Sequence, residues 1–162
     1  MPAAKTILLL LISAVGVQSV SAQGDLEGAR RSLAGVERFE VVATVEGPEH
    51  LAMSETLRSE TLVRTVRGRL LEAGLPVGTL EGLRPNLHIH LNMMQLQNGL
   101  IAFSIEADFF QDVLLARNRR QAGAATWNES VVGFVSHDMT STIAESVLRL
   151  AGQFVRDFRT VN

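Results

Sequence analysis

The chain contains no cysteine. That excludes disulfides, thiol catalysis and thiolate metal ligands, and it excludes a lipid-modified cysteine as a membrane anchor. Tyrosine is also absent and tryptophan occurs once, at Trp127. A basic surplus is missing: fifteen Lys and Arg stand against seventeen Asp and Glu, a formal charge of -2. A nucleic-acid partner is not expected from such a balance, because phosphates must be neutralised by excess cations. No glycine-rich stretch could cradle a phosphate chain, and Ser54, Ser104, Ser130, Ser136 and Ser141 lie in no nucleophile-elbow sequence. There is no internal repeat and no low-complexity segment. No motif specifies a reaction, so neither a catalytic residue nor a cofactor is expected.

What is present begins with an apolar N-terminus. Lys5, the run Ile7 to Ile12 and the small residues Val20-Ser21-Ala22 match the three regions of a secretory signal peptide. The apolar run is short and interrupted by Ser, Gly and Gln, whereas a span needs about 20 apolar residues. The expectation is a cleaved signal peptide over 1–22, no membrane span afterwards, and a single domain over 23–162 in the periplasm or secreted. A cysteine-free exported chain suits a bacterial envelope.

The centre of the chain reads as three consecutive strands. In Asn86–Gln97, Leu87, Ile89, Leu91 and Met93 alternate with Asn86, His88, His90 and Asn92. After Asn98-Gly99, Ile101, Phe103, Ile105, Ala107 and Phe109 alternate with Ser104, Glu106 and Asp108. A two-residue loop would set apolar against polar along the whole ladder. A three-residue loop of Gln97, Asn98 and Gly99 sets Leu91 against Ile105, Met93 against Phe103 and Ile89 against Ala107, and it needs Gly99 left-handed. The same register sets His90 opposite Glu106 and His88 opposite Asp108. A turn over Asn118–Ala122 and a strand over Gly123–Val135 complete the set. Pairing Val113 with Trp127, Leu115 with Ala125 and Phe109 with Val131 keeps apolar facing apolar, with Trp127 on the core side. Trp127 is then a core anchor, or else a stacking platform for a ligand.

Around this meander lie three further elements. Asp25 to Leu33 is a short helix with Asp25 as its N-cap. A strand over Val36–Glu46 places Phe39, Val41, Ala43 and Val45 on one face, and Gly47-Pro48 ends it. A helix is expected over Leu51–Ala73, with Met53, Leu57, Val63, Val66 and Leu70 as its stripe, Arg58, Arg64, Arg67 and Arg69 on its wet side, and Gly74 at its end. The last helix, from His137 or Asp138 to Arg159, carries Ile143, Val147, Leu150, Ala151, Phe154 and Phe158 on one face. The predicted fold is α+β: a four-stranded sheet in β-α-β-β-β-α order, with two long helices on the face of Phe39, Ile89, Phe103, Ile105 and Trp127.

The framework Leu57…Val66…Leu70-Leu-Glu-Ala-Gly74, Pro85-Asn-Leu-His-Ile, Phe109-Phe-Gln-Asp-Val-Leu-Leu-Ala-Arg117, Ala125-Thr-Trp127, Phe154-Val-Arg-Asp-Phe158 and Asn162 resembles a group of small exported bacterial proteins of unknown function. The resemblance implies an envelope or periplasmic location and the same element order. It carries over no catalytic residues.

Two functional readings follow. In the first, the chain is a non-enzymatic binding or envelope-assembly module. Its outer sheet face carries Met94, Leu96, Leu100, Phe110, Val132 and Phe134 among polar groups, which suits a protein partner or a second copy of the chain. In the second, the chain is a metal-binding protein or small metalloenzyme in which His88, His90, Glu106 and Asp108 hold a metal, with Met94 as a further soft ligand, because two imidazoles and a carboxylate form a ligand set for Zn, Cu or Fe. Ordinary His–carboxylate pairs on a wet face would give the same pattern. His50 and His137 read as residues at loop and helix ends.

Overall fold

The computed structural model describes residues 26–79 and 85–162. The expected signal peptide over 1–22 and the expected Asp25 cap lie outside the described residues. The elements are α1 (Leu26–Arg31), β1 (Glu40–Glu46), α2 (Glu49–Ala52), α3 (Ser59–Glu72), β2 (Asn86–Gln95), β3 (Leu100–Leu114), β4 (Gln121–Ser136), a 3₁₀ turn at His137–Met139, and α4 (Ser141–Val161). The sheet order is β1-β2-β3-β4. β1 runs parallel to β2, with Val41 beside Leu87 and Val45 beside Leu91, and the other two pairs are antiparallel. The fold is the expected α+β sheet, and its first strand joins the outer edge of β2.

The β2–β3 register is the one that the alternation demands. Leu91 pairs with Ile105, Met93 with Phe103, Ile89 with Ala107, His90 with Glu106 and His88 with Asp108. The loop closes with the Leu96 amide donating to the Leu100 carbonyl at 2.8 Å and with Gly99 at φ 80. Asn98 Oδ1 accepts the Leu100 amide at 3.1 Å, the local bond that makes Asn a turn residue.

The β3–β4 register differs from expectation. Phe109 faces Trp127 rather than Val131, and Val113 faces Ala122 rather than Trp127. The turn is tighter than predicted. Leu115 donates its amide to the Arg120 carbonyl at 2.9 Å, Asn118 Oδ1 accepts the Arg120 amide at 3.1 Å, and Arg119 takes a left-handed conformation at φ 59. From Trp127 to Ser136 the slip is four residues along β4, an even number, so every side chain there keeps its face and hydrophobic alternation cannot distinguish the two pairings. Between Phe110 and the turn it is five residues. Beyond Trp127 a bulge intervenes: Phe109 pairs with Trp127 and Phe110 with Ala125, which leaves Thr126 unpaired. Side chains occupy the bulge. Gln111 Nε2 donates to Thr126 Oγ1 at 2.6 Å and to the Ser32 carbonyl at 2.8 Å, and Ser32 Oγ donates to the Thr126 carbonyl at 3.1 Å. The bulge is thus tied to the segment that follows α1.

The long helix expected over Leu51–Ala73 is two helices. Arg58 is extended (φ -60, ψ 147) and Ser54 Oγ accepts the Leu57 amide at 3.3 Å, so the chain turns between α2 and α3. Met53, expected in the stripe, is 70% exposed, and Leu62 joins Val66 and Leu70 in the core instead. The end of α3 is as expected. The Gly74 amide (φ 77) donates to Leu71 and the Leu75 amide to Leu70, the paired bonds of a Schellman cap.

The core lies between the helices and one face of the sheet. α3 packs on β1, and α4 packs on β3 and β4. All six predicted α4 stripe residues are buried. Phe39, Phe109, Phe154, Phe158 and Trp127 form one aromatic cluster, in which Trp127 meets Phe154 at 4.9 Å and Phe39 meets Phe109 at 5.5 Å, both edge to face.

Candidate functional site

With the helices on one face, the opposite face of the sheet carries side chains from all four strands. The registers place them in rows: Val42, His88, Asp108 and Asn128, then Thr44, His90, Glu106 and Ser130, then Glu46, Asn92, Ser104 and Val132. A last row holds Met94, Ala102 and Phe134. Met94 is 60% exposed, and Val132 and Phe134 are each 48% exposed. They group at the end of the sheet that carries the Gln97–Gly99 loop, with Leu96 and Leu100 half-buried beside them. At the other end Phe110 is half-buried and its ring lies 6.4 Å from that of His88.

The polar half of the face is a coupled set of titratable groups. The His88 and His90 rings stack with centroids 6.0 Å apart. Both reach β1: Thr44 Oγ1 and His88 Nε2 share a 2.9 Å hydrogen bond, and His90 Nε2 lies 3.6 Å from Glu46 Oε1. Burial holds the His88 pKa below its usual value; the neighbouring His90 adds to this and Asp108 opposes it. Burial and then the Glu106 charge push Asp108 upward, against the attraction of the two imidazoles. The predicted residues His88, His90, Glu106 and Asp108 are therefore neighbours in adjacent rows, while the closest polar partners of the two imidazoles come from β1. Among the described residues, no group of three or more His, Asp or Glu side chains is placed to hold a metal ion. The Met94 row lies two rows beyond His90.

Sequence reasoning missed two other features. His50 and His137 stack at 5.9 Å with their rings 14° from parallel, which brings the first turn after β1 against the start of the final helical region. Asp157, on α4, is 5% exposed and accepts from Arg30 Nε at 2.8 Å, Trp127 Nε1 at 3.1 Å and Gln153 Nε2 at 3.1 Å. The spacing of Gln153 and Asp157 is visible in the sequence, but the convergence of α1, β4 and α4 on one carboxylate is not. Trp127 is thus a core anchor with its N–H satisfied. Burial and the Asp157 charge raise the pKa of Glu129, against the pull of Arg30.

A separate apolar groove of about 630 Å³ runs between the edge strand β1 and α3, past Val42, Ala43, Val63, Arg64 and Leu71. Among the described residues no helix is long and apolar enough to cross a membrane. No protein-family model and no curated protein sequence matches the chain.

Proposed function

We propose that the protein is an exported, non-enzymatic binding or envelope-assembly module that docks a protein partner, or a second copy of itself, on the open face of its sheet. The observation that carries this reading is the grouping of Met94, Val132 and Phe134, all about half exposed or more, on adjacent rows of the sheet. Large apolar side chains clustered on one face and bordered by polar groups are the usual composition of a docking surface. The polar half of the face, with two stacked imidazoles and carboxylates from β1 and β3, forms its rim. The N-terminal sequence pattern supports export and an envelope or periplasmic setting. Crosslinking in envelope extracts tests the reading. A crosslinked species that forms with the native chain and disappears with Phe134→Asp supports it, and a chain recovered only as an uncrosslinked monomer removes it.

A second reading, metal binding at His88, His90, Glu106 and Asp108, is supported by the β2–β3 register, which sets the four side chains in neighbouring rows. Thermal-shift titration with divalent metals separates the two.

A further inference from the structure

We infer that the groove between α3 and α4 binds a phosphate-bearing anion. It lies on the helical side of the molecule, so it stands or falls independently of the sheet face. Its lining is Arg69 from α3 with Glu145, Leu148, Arg149, Gly152 and Arg156 from α4, around a volume of about 600 Å³. That size suits a small ligand or a lipid headgroup.

The charge in this groove is positive in excess. Three guanidinium groups meet one carboxylate. Among the described residues none of the three arginines has a carboxylate within ion-pair distance, unlike Arg30 and Arg31. Neutral groups hold two of them instead. Arg149 Nη2 donates to Ser146 Oγ at 2.7 Å, and Ser146, 1% exposed, donates in turn to the Thr142 carbonyl at 2.7 Å. Arg156 donates to Gln153 Oε1. These bonds orient the side chains and leave their charge available, in a chain whose acidic residues outnumber its basic ones. Arginine forks match phosphate oxygens in pairs. A carboxylate ligand is planar and one fork satisfies it, whereas a tetrahedral phosphate can accept from forks on two helices at once.

Gly152 is the second observation. Glycine weakens a helix interior, so its presence there calls for a reason. Packing supplies none: an added Cβ would meet nothing closer than Arg156 Nη1 at 3.7 Å. A larger side chain at 152 would instead stand in the groove between Arg149 and Arg156, which lie three residues before it and four after on the same helix face. The missing side chain keeps the space between the two guanidinium groups open, and Leu148 adds an apolar contact beside it.

The test uses the soluble chain at low ionic strength. Thermal unfolding is followed with inorganic phosphate against chloride at matched ionic strength, and cosedimentation is measured with phosphatidylglycerol and with phosphatidylcholine vesicles. The expected result is a rise in Tm at millimolar phosphate or selective recruitment to phosphatidylglycerol. The response should weaken at least tenfold in both Arg149→Gln/Arg156→Gln and Gly152→Leu, the latter keeping all three arginines. A phosphate response without vesicle recruitment assigns a soluble phosphate compound, and vesicle recruitment assigns a lipid headgroup. If Gly152→Leu disturbs the fold, the Arg149→Gln/Arg156→Gln pair decides. Absence of both responses in the native chain, or binding that survives loss of both arginines, overturns the inference.

Discussion

Trp127 Nε1 donates to Asp157 Oδ2 at 3.1 Å, and the same carboxylate takes the Arg30 guanidinium at 2.8 Å. A single buried acid thereby joins α1, β4 and α4. Such a group is favourable only while its donors remain, and a donor left unsatisfied in the interior costs its desolvation. Asp157→Ala strands the Trp127 N–H and the Arg30 charge together. It should lower stability by roughly 1–3 kcal/mol, with Arg30 partly relieved by solvent. Urea unfolding measures it, and an unchanged midpoint would show that the three donors find water as readily as Asp157.

The sheet's two faces should respond oppositely to the same substitution. Phe103 is 3% exposed and Ser104, its neighbour, is half-buried on the open face. Phe103→Asp should unfold the domain, because it buries an unpaired charge. Ser104→Asp should leave far-UV circular dichroism and Tm nearly unchanged. Position 133 reports on the same layer. A Cβ on Gly133 would lie 2.7 Å from the Phe103 ring, so Gly133→Val should cost about 1–3 kcal/mol through overpacking.

How far this fold can be read from sequence is visible in the two hairpins. The β2–β3 register was legible because a one-residue slip would turn Leu87, Ile89, Leu91 and Met93 into water. The β3–β4 register was not, because between Trp127 and Ser136 it differs by four residues, a slip that moves no side chain to the other face, and the fifth residue enters at a bulge. Only the conformation of Arg119 and the Asn118 bond fix it, and the Thr126 bulge depends on Ser32 and Gln111, which are distant in sequence. The break between α2 and α3 escaped because Met53 and Leu57 stand four residues apart, the spacing of a continuous stripe, although Met53 is 70% exposed. At the candidate site the rows of His88, His90, Glu106 and Asp108 were legible. The lean of both imidazoles toward Thr44 and Glu46 was not, since it depends on which edge β1 joins.

Asp108 supplies a pH signature. Its pKa in the fold is raised above the ordinary 3.8, chiefly by burial and then by Glu106. An ionised Asp108 therefore costs stability at neutral pH, and the cost disappears as pH falls through the raised pKa and the folded state takes up the proton. Asp108→Asn should raise Tm at pH 7, and the gain over the native chain should shrink toward zero below about pH 4. His88, whose pKa is lowered, acts in the other direction: the unfolded state binds its proton first, so stability falls as pH drops below about 6.5. Thermal melts of both chains from pH 3 to 8 separate the two contributions. A constant difference across that range would assign the Asp108 effect to packing.

Metal titration discriminates the readings of the polar rim. A bound metal that prefers the folded state raises Tm by mass action. With His88 bonded to Thr44, and no group of three His, Asp or Glu side chains placed to hold a metal among the described residues, Zn²⁺, Cu²⁺ and Ni²⁺ in hundredfold excess should leave Tm of the untagged chain unchanged. A rise of several degrees that vanishes in His88→Ala/His90→Ala would restore the metal reading.

The central claim is that the open sheet face docks a partner, and sedimentation velocity tests it most directly. The chain purified alone is compared with the chain mixed with an envelope extract, and each with the Met94→Asp/Phe134→Asp variant. Both substituted side chains are exposed, Met94 at 60% and Phe134 at 48%, so the variant should keep a Tm near the native one. The account predicts that the native chain sediments as a dimer alone or as a larger complex in extract, and that the variant sediments as a monomer in both. A native chain that stays monomeric in both, or a variant that assembles as the native chain does, would contradict it.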